Sequence, residues 1–406
     1  MAVPRTLLEH GRVLFQMNKT GSLFIYNLFY LPSYKNQETG MYPAKNRLRK
    51  LQVAAAFGAA VALPAMAQTS VQVTGLVDTY VGSMKYSGDS GRTSVVNSGG
   101  LTTSWIGFKG TEDLGGGLSA KFNLTSFFRA DTGQTGRFDG NETMFSRDAN
   151  VGLVGGFGAV SLGRDLAPNF LPSILFNPFG DSFQLSPLIL HLDVPWFNAS
   201  GWTSSLAGDT GWSNEVIYTT PDFAGLKANF HYQFGEQAGN TGKNNIGANV
   251  LYFHGPLALS AYYQRVKVNN PLELSPGNVQ PSTNIPLPSG MVAARQSAWF
   301  LGATYDFTVA KLFATYDQTS HDIDLKDKTL QLGTSIPLGQ GAVLASWANT
   351  KRSGAAVGES LKRNTASLGY DYNMSKRTDL YAIYMYDKIT EQTVGNSIAF
   401  GIRHRF

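Results

Sequence analysis

Between residues 71 and 406, apolar and polar side chains alternate in short runs broken by Gly, Asn, Asp and Pro. A period of two puts successive side chains on opposite faces of an extended strand, so each run has one apolar and one polar face. In the first run Val71, Val73, Val77 and Val81 share one face, with Gln72, Thr74, Asp78 and Tyr80 on the other. Leu118, Ala120, Phe122 and Leu124 alternate in the same way with Ser119, Lys121, Asn123 and Thr125. Lys121 must meet water on that polar face. Five such strands precede residue 164 and eleven follow residue 212, sixteen in all.

Their connections alternate in length. Tight turns such as Pro221-Asp222-Phe223-Ala224, His254-Gly255, Pro337-Leu338-Gly339-Gln340 and Asn373-Met374-Ser375-Lys376 take turns with long polar segments such as 268–296 and 350–362. An even number of strands with alternately short and long connections is the pattern of an outer-membrane barrel, whose periplasmic turns are short and external loops longer. A soluble sandwich has no reason for that alternation. The expected fold is therefore all-β, a 16-stranded antiparallel transmembrane β-barrel with a long inward-folded third loop.

The last run fits closure. Ile398, Phe400, Ile402, His404 and Phe406 share one face, and Ser397, Ala399, Gly401, Arg403 and Arg405 the other. Pairing the last strand with the first leaves no open edge in lipid, and the carboxylate of Phe406 is expected beside the amino group of Gln68. Tyr262, Tyr263, Tyr370, Tyr372, Tyr381, Tyr384 and Tyr386 read as interfacial girdles, with ordinary sheet aromatics as the alternative.

From Arg164 to Trp212 the alternation stops for roughly fifty residues, which a compact fold tolerates only in a functional loop. Pro168, Pro172, Pro178, Pro187 and Pro195 block regular ladders there. Phe170, Phe176, Phe179, Phe183, Trp196, Phe197 and Trp202 are too many large apolar groups for a loop in water. Residues 164–212 are expected to fold into the barrel and narrow its lumen.

The chain has 406 residues, no Cys and a formal charge of +5. Zero Cys excludes a disulfide scaffold, a thiolate nucleophile and a Cys metal site. Beyond one short stretch near residue 51, no apolar run approaches the ~18 residues of a membrane helix. Residues 45–50 read Lys-Asn-Arg-Leu-Arg-Lys, an apolar stretch from Leu51 to Leu63 follows, and Ala65-Met66-Ala67 precedes Gln68. That is a secretory signal peptide over 41–67, with cleavage expected after Ala67. Residues 1–40 resemble no targeting segment, so Met41 is the expected start and 1–40 a mistranslated extension. Residues 1–67 hold eight of the 33 Lys/Arg and two of the 28 Asp/Glu, leaving 25 against 26 and a mature charge of −1. The basic balance belongs to the leader and is no argument for a nucleic-acid partner.

Catalysis finds little footing. A hydrolase would need a nucleophile and a base within hydrogen-bond reach. The histidines of the mature chain are His191, His231, His254, His321 and His404. His191 with Asp193, and His321 with Asp322 and Asp324, read as solvated loop residues. No His-x3-His spacing supports zinc, and Gly239-Asn240-Thr241-Gly242-Lys243 lacks the phosphate-loop spacing. Neither an enzyme nor a cofactor is expected.

Gly107-Phe108-Lys109-Gly110-Thr111-Glu112-Asp113-Leu114-Gly115-Gly116-Gly117-Leu118 resembles a segment of the general trimeric porins of Gram-negative bacteria, in the group typical of Neisseria and Burkholderia relatives. Val151-Gly152-Leu153 through Gly155-Gly156-Phe157-Gly158 to Ser161-Leu162-Gly163-Arg164 is similar, as are Tyr218 to Pro221 and Gly369-Tyr370-Asp371-Tyr372. Asn177-Pro178-Phe179-Gly180 looks like that family's inward-loop motif, in which Asp is commoner than Asn. The resemblance covers essentially all of 68–406. It implies a homotrimeric, water-filled channel in the outer membrane, bounded by lipid and lipopolysaccharide, through which small hydrophilic solutes and ions diffuse passively.

It also implies a basic wall facing an acidic loop across the constriction. Arg147 and Arg164 match positions of the basic cluster, and Asp181 follows Gly180 on the loop. By strict alternation, however, Arg147 shares a face with Phe145, Val151 and Leu153, so a bulge, a place above the hydrocarbon zone or a wrong match must explain it. Trp105 and Trp212 stand where the family usually has Arg, and Thr125 where it has Glu. Two readings follow: a less charged, more aromatic constriction that selects sugars or aromatic acids, or tryptophans that face lipid or lie under the long loop. A surface adhesin or receptor barrel is the alternative outside transport.

Overall fold

The computed structural model describes residues 70–137, 142–194, 205, 209–236, 238–239, 244–267, 295–321, 324–355 and 357–406. The expected leader (1–67), Trp196, Phe197, Trp202 and most of 268–296 lie outside them.

The strands in chain order are β1 (Ser70–Met84), β2 (Thr93–Ser98), β3 (Trp105–Gly115), β4 (Leu118–Phe127), β5 (Asp148–Gly155), β6 (Gly158–Leu166), β7 (Gly211–Thr219), β8 (Leu226–Gln233) and β9 (Asn245–His254). Then follow β10 (Leu257–Val266), β11 (Gln296–Asp306), β12 (Lys311–His321), β13 (Lys326–Leu338), β14 (Gly341–Ser353), β15 (Leu361–Asn373), β16 (Thr378–Ile389) and β17 (Gly395–Arg405). Two short helices, α1 (Phe170–Leu175) and α2 (Pro187–Leu192), occupy the long connection between β6 and β7.

Each strand pairs antiparallel with its neighbour, and β1 pairs with β17 in register from Leu76↔Arg405 to Ser83↔Ile398. Gly75 and Phe406 exchange two backbone hydrogen bonds of 3.1 Å and seal the seam. The ring therefore has no free edge. Gln68, the other half of the expected terminal contact, lies outside the described residues.

The seventeen segments make sixteen staves, because β2 and β3 share one. β3 runs along Ser70–Leu76 of β1, and β2 along Thr79–Met84. Alternation predicts only a strand near Thr103–Lys109 here. The break between the two segments has a chemical cause. Asp78, fully buried on β1, accepts the backbone N–H groups of Gly100 (3.2 Å), Leu101 (2.9 Å) and Thr102 (2.8 Å), and also the Tyr381 hydroxyl. A carboxylate saturated by backbone donors holds the chain away from the ladder.

Alternation sorts the faces as the sequence indicates. Val71, Val73, Val81, Ile398, Phe400 and Ile402 are exposed outside, while Tyr80, Asp78, Ala399 and Arg403 are buried inside. Among the tyrosines, Tyr263, Tyr372, Tyr384 and Tyr386 are exposed, but Tyr262 and Tyr381 are buried. Tyr262 and Tyr263 are adjacent and must point to opposite faces. The inward pair hydrogen-bonds Asp317 and Asp78.

Alternation alone predicts a strand over Met144–Val154, but the ladder begins only at Asp148. Arg147 thus precedes the ladder, which removes the conflict with the lipid-facing Val151 and Leu153. The long loop does fold inward, and its irregular part is shorter at both ends than 164–212, since β6 reaches Leu166 and β7 starts at Gly211. Phe170, Ile174, Phe179, Phe183, Leu185 and Ile189 form one core with Tyr80, Met84, Leu344, Ile383 and Met385 of the inner wall. Phe176, Leu188 and Leu192 form a second with Leu251, Tyr262 and Phe300. Each such side chain stabilises the loop by roughly 1.5–3 kcal/mol, so the loop is held against opposite sides of the lumen.

Candidate functional site: the pore constriction

On the inner face of β3, Trp105 and Lys109 are four residues apart, and a period of two keeps them on the same side. The Arg147 guanidinium lies over the Trp105 ring, 4.4 Å from its centre, and the Lys109 ammonium lies 5.4 Å from it. The ring's negative face attracts both cations. Arg147 also pairs with Asp148, whose carboxylate accepts the Thr125 hydroxyl at 2.7 Å.

The loop side begins at Asn177. Its amide donates to the carbonyls of Ser173 (2.7 Å) and Gly180 (2.8 Å), and its oxygen accepts from the Phe179 N–H (2.8 Å) and the Ser186 hydroxyl (3.0 Å). An aspartate could not supply the two donors, which accounts for Asn at this position. Gly180 follows with φ of 55°, the left-handed region that glycine occupies without strain. That turn carries Asp181 toward the wall. Burial pushes its carboxyl above the usual aspartate range, against the pull of Arg403, the Thr102 hydroxyl and Arg147. Thr102 accepts from Arg403 at 2.9 Å and so bridges the two charges.

The other anticipated residues are elsewhere. Arg164 is a clamp at the root of the loop: it donates to the carbonyls of Ser146 (2.7 Å) and Gly211 (3.0 Å) and pairs with Asp209 at 2.7 Å. Arg137, stacked near Phe127 and Phe183, holds the other oxygen of Asp209 at 2.9 Å. Trp212 is fully buried, edge-on to His231 at 6.2 Å, and clusters with Ala167 and Val266 under the loop. Lys121 shares the lumen face of β4 with Thr125 but lies four residues nearer the short turn, about 13 Å along the strand. The structure thus brings Trp105, Arg147 and Asp181 together and leaves Arg164, Trp212 and Lys121 apart.

Lys109, Asp148 and Arg403 complete the site, and alternation alone places Lys109 and Arg403 on inner faces. The role of His191 was less accessible. It is not solvated but fully buried, with Nδ1 and Nε2 each 2.8 Å from a hydroxyl, those of Thr350 and Thr365. Thr365 donates to Asp387 (2.6 Å), so its oxygen accepts from Nε2–H, and Nδ1 then accepts from Thr350. Thr329 completes the chain at 2.7 Å from Thr350. Beside it, Arg363 holds Asp387 (3.0 Å) and the Leu190 carbonyl (3.1 Å), fixing α2 to the wall.

A closed antiparallel ring with an apolar exterior and a charged, loop-narrowed interior defines an outer-membrane channel. A Gram-negative porin family model matches residues 54–392. The chain belongs to that family. It is 34% identical over 350 residues to outer membrane porin protein 32 of Delftia acidovorans, covering 83% of this chain and 88% of that one. It is 28% identical over 422 residues to an outer membrane porin protein of Bordetella pertussis, covering 88% and 100%. Among solved structures, the anion-selective porin from Comamonas acidovorans superposes with a TM-score of 0.66 at 28% identity, covering 84% and 100%. The chain is a porin channel of the Gram-negative outer membrane.

Proposed function

We propose that this channel passes small hydrophilic solutes and ions passively and favours anions at its constriction. The observation that carries this is the pair of cations, Arg147 and Lys109, held on the Trp105 ring of the lumen wall. Asp181 faces this wall from the loop, so the aperture carries a transverse field that biases which ions enter. The similar porin from Comamonas acidovorans is anion-selective, which supports the same preference here. The channel is proposed to work as a homotrimer, as the family resemblance implies, with a mature chain starting at Gln68. Neither catalysis nor a cofactor belongs to this function.

The test is single-channel recording in a planar bilayer under a KCl gradient. The expected reversal potential has the sign of chloride permeation, and Arg147→Gln with Lys109→Gln moves it toward potassium. A cation-selective wild type would sink the proposal. Trp105 favours a second reading, selection of aromatic acids by stacking beside the two cations. On that reading benzoate, but not acetate, blocks the chloride current.

A further inference from the structure

The break between β2 and β3, residues 99–104, meets the tip of the constriction loop. Asp78 takes the N–H groups of Gly100, Leu101 and Thr102, which turns this segment out of the ladder and frees its other polar groups. The Gly100 carbonyl accepts the hydroxyl of Ser182 on the loop at 2.6 Å. Ser182 is fully buried, and its oxygen also accepts the Leu185 N–H at 2.9 Å. Leu101 packs in one apolar core with Phe179 and Phe183 of the loop. Thr102 turns its hydroxyl to the Asp181 carboxylate and accepts from Arg403 at 2.9 Å. Three consecutive residues of the break thus grip the loop tip with a carbonyl, an apolar side chain and a hydroxyl.

The grip has a rigid base. A side chain at Gly100 would meet the Tyr381 hydroxyl at 2.0 Å and the Tyr80 ring at 3.0 Å, so only glycine lets Tyr381 reach Asp78. Arg403 is fixed from behind by Asp379 (2.9 Å) and Asp371 (3.2 Å) and cannot follow a moving loop. The Thr102 hydroxyl is therefore the link that ties the Asp181 charge to the wall. We infer that residues 99–104 are the seat of the constriction loop, and that Thr102 is a positioning residue for ion preference. It holds the Asp181 carboxylate against Arg403 and away from the path of the ions. This rests on the transverse field proposed above and names what fixes its acidic side.

The mature barrel is recorded in a planar bilayer under a KCl gradient as wild type, Thr102→Val, Thr102→Ser, Asp181→Asn and the double variant Thr102→Val, Asp181→Asn. Losing a hydrogen bond to a charged group should release the carboxylate about 10- to 150-fold more often. The chloride-to-potassium permeability ratio of Thr102→Val is expected to fall about twofold or more, and Thr102→Ser, which keeps the hydroxyl, to restore it. In the Asp181→Asn background Thr102→Val is expected to change nothing, because no charge is left to release. A wild-type ratio in Thr102→Val overturns the seat, even if its urea midpoint drops. An equal fall in the Asp181→Asn background also overturns it, because the effect would then belong to Arg403. Should Thr102→Val fail to refold, Ser182→Ala takes its place; it is expected to shift the ratio the same way, and an unchanged ratio overturns the seat. The sign of the wild-type reversal potential decides the anion preference, and the differences between variants decide the seat, so each can fail alone.

Discussion

Arg147 rests its guanidinium 4.4 Å above the indole of Trp105. Arg147 is anchored by that ring, the Asp148 carboxylate and a long hydrogen bond to the Thr125 hydroxyl (3.5 Å), while Arg164 and Arg137 are locked in fuller sets of partners. A cation–π contact at a hydrated site contributes about 0.5–1 kcal/mol. Trp105→Ala should thus let Arg147 leave the wall roughly two- to fivefold more often. The expected outcome in single-channel recording is higher open-channel noise with the sign of selectivity retained. A quiet channel of unchanged conductance would show that the ring does not position Arg147.

Asn177 gives a sharper prediction because all four of its hydrogen-bonding positions are used. Asn177→Asp removes two donors and sets a carboxylate against the carbonyls of Ser173 and Gly180. Leaving buried groups unpaired costs about 1–3 kcal/mol. Hydrogen exchange at the amides of Phe179 and Leu185, which bond Asn177 and Ser182, should quicken by about 5- to 150-fold. Exchange at wild-type rates would remove Asn177 as the lock of the loop tip.

What could be read without coordinates follows from the range of the forces involved. Alternation is local, so sixteen staves, the lipid face of β17 and the inward side of Lys109 were all legible. The split between β2 and β3 was not, because its cause is Asp78, whose partners include Tyr381 at a separation of 303 residues. α2 carried a local signal, Ser186 before Pro187, since Ser is a good N-cap and Pro a good first residue. The proline-rich context around it spoke for irregular chain instead. The place of Arg147 turned on where a strand begins, which periodicity does not mark.

The buried pair Arg363–Asp387 separates a structural role from a pore role. Removing one member of a buried pair typically costs 3–5 kcal/mol, because the other charge is stranded. Arg363→Ala should lower the stability of the refolded barrel by about 3 kcal/mol or more in equilibrium urea unfolding. Lys362→Gln, one residue away but outward, should stay within about 0.5 kcal/mol of wild type. Equal effects of the two would mean that Asp387 is hydrated and the pair is not buried in solution.

His191 should make the anchoring of the loop sensitive to acid. Burial, with Arg363 nearby, holds its imidazole well below the usual histidine range. The groups around it are Thr350 on β14, Arg363 and Thr365 on β15, and Asp387 on β16, which Thr365 and Arg363 both hold. In the unfolded chain the ring takes a proton near pH 6.5, while in the folded barrel Nδ1 is occupied as an acceptor and the ring stays neutral. Below that pH the unfolded state binds more protons, so the contribution of His191 to stability is present above about pH 6.5 and falls by up to ~1.4 kcal/mol per unit as the pH drops. Asp181 and Asp193, raised by burial, act in the opposite sense, but they are common to wild type and variant and cancel in the difference. Urea midpoints of wild type and His191→Gln, compared from pH 8 to pH 5, should converge as the solution is acidified, with the wild type losing the advantage it holds at pH 8. Parallel curves across that range would mean that His191 is free to take a proton within the folded barrel.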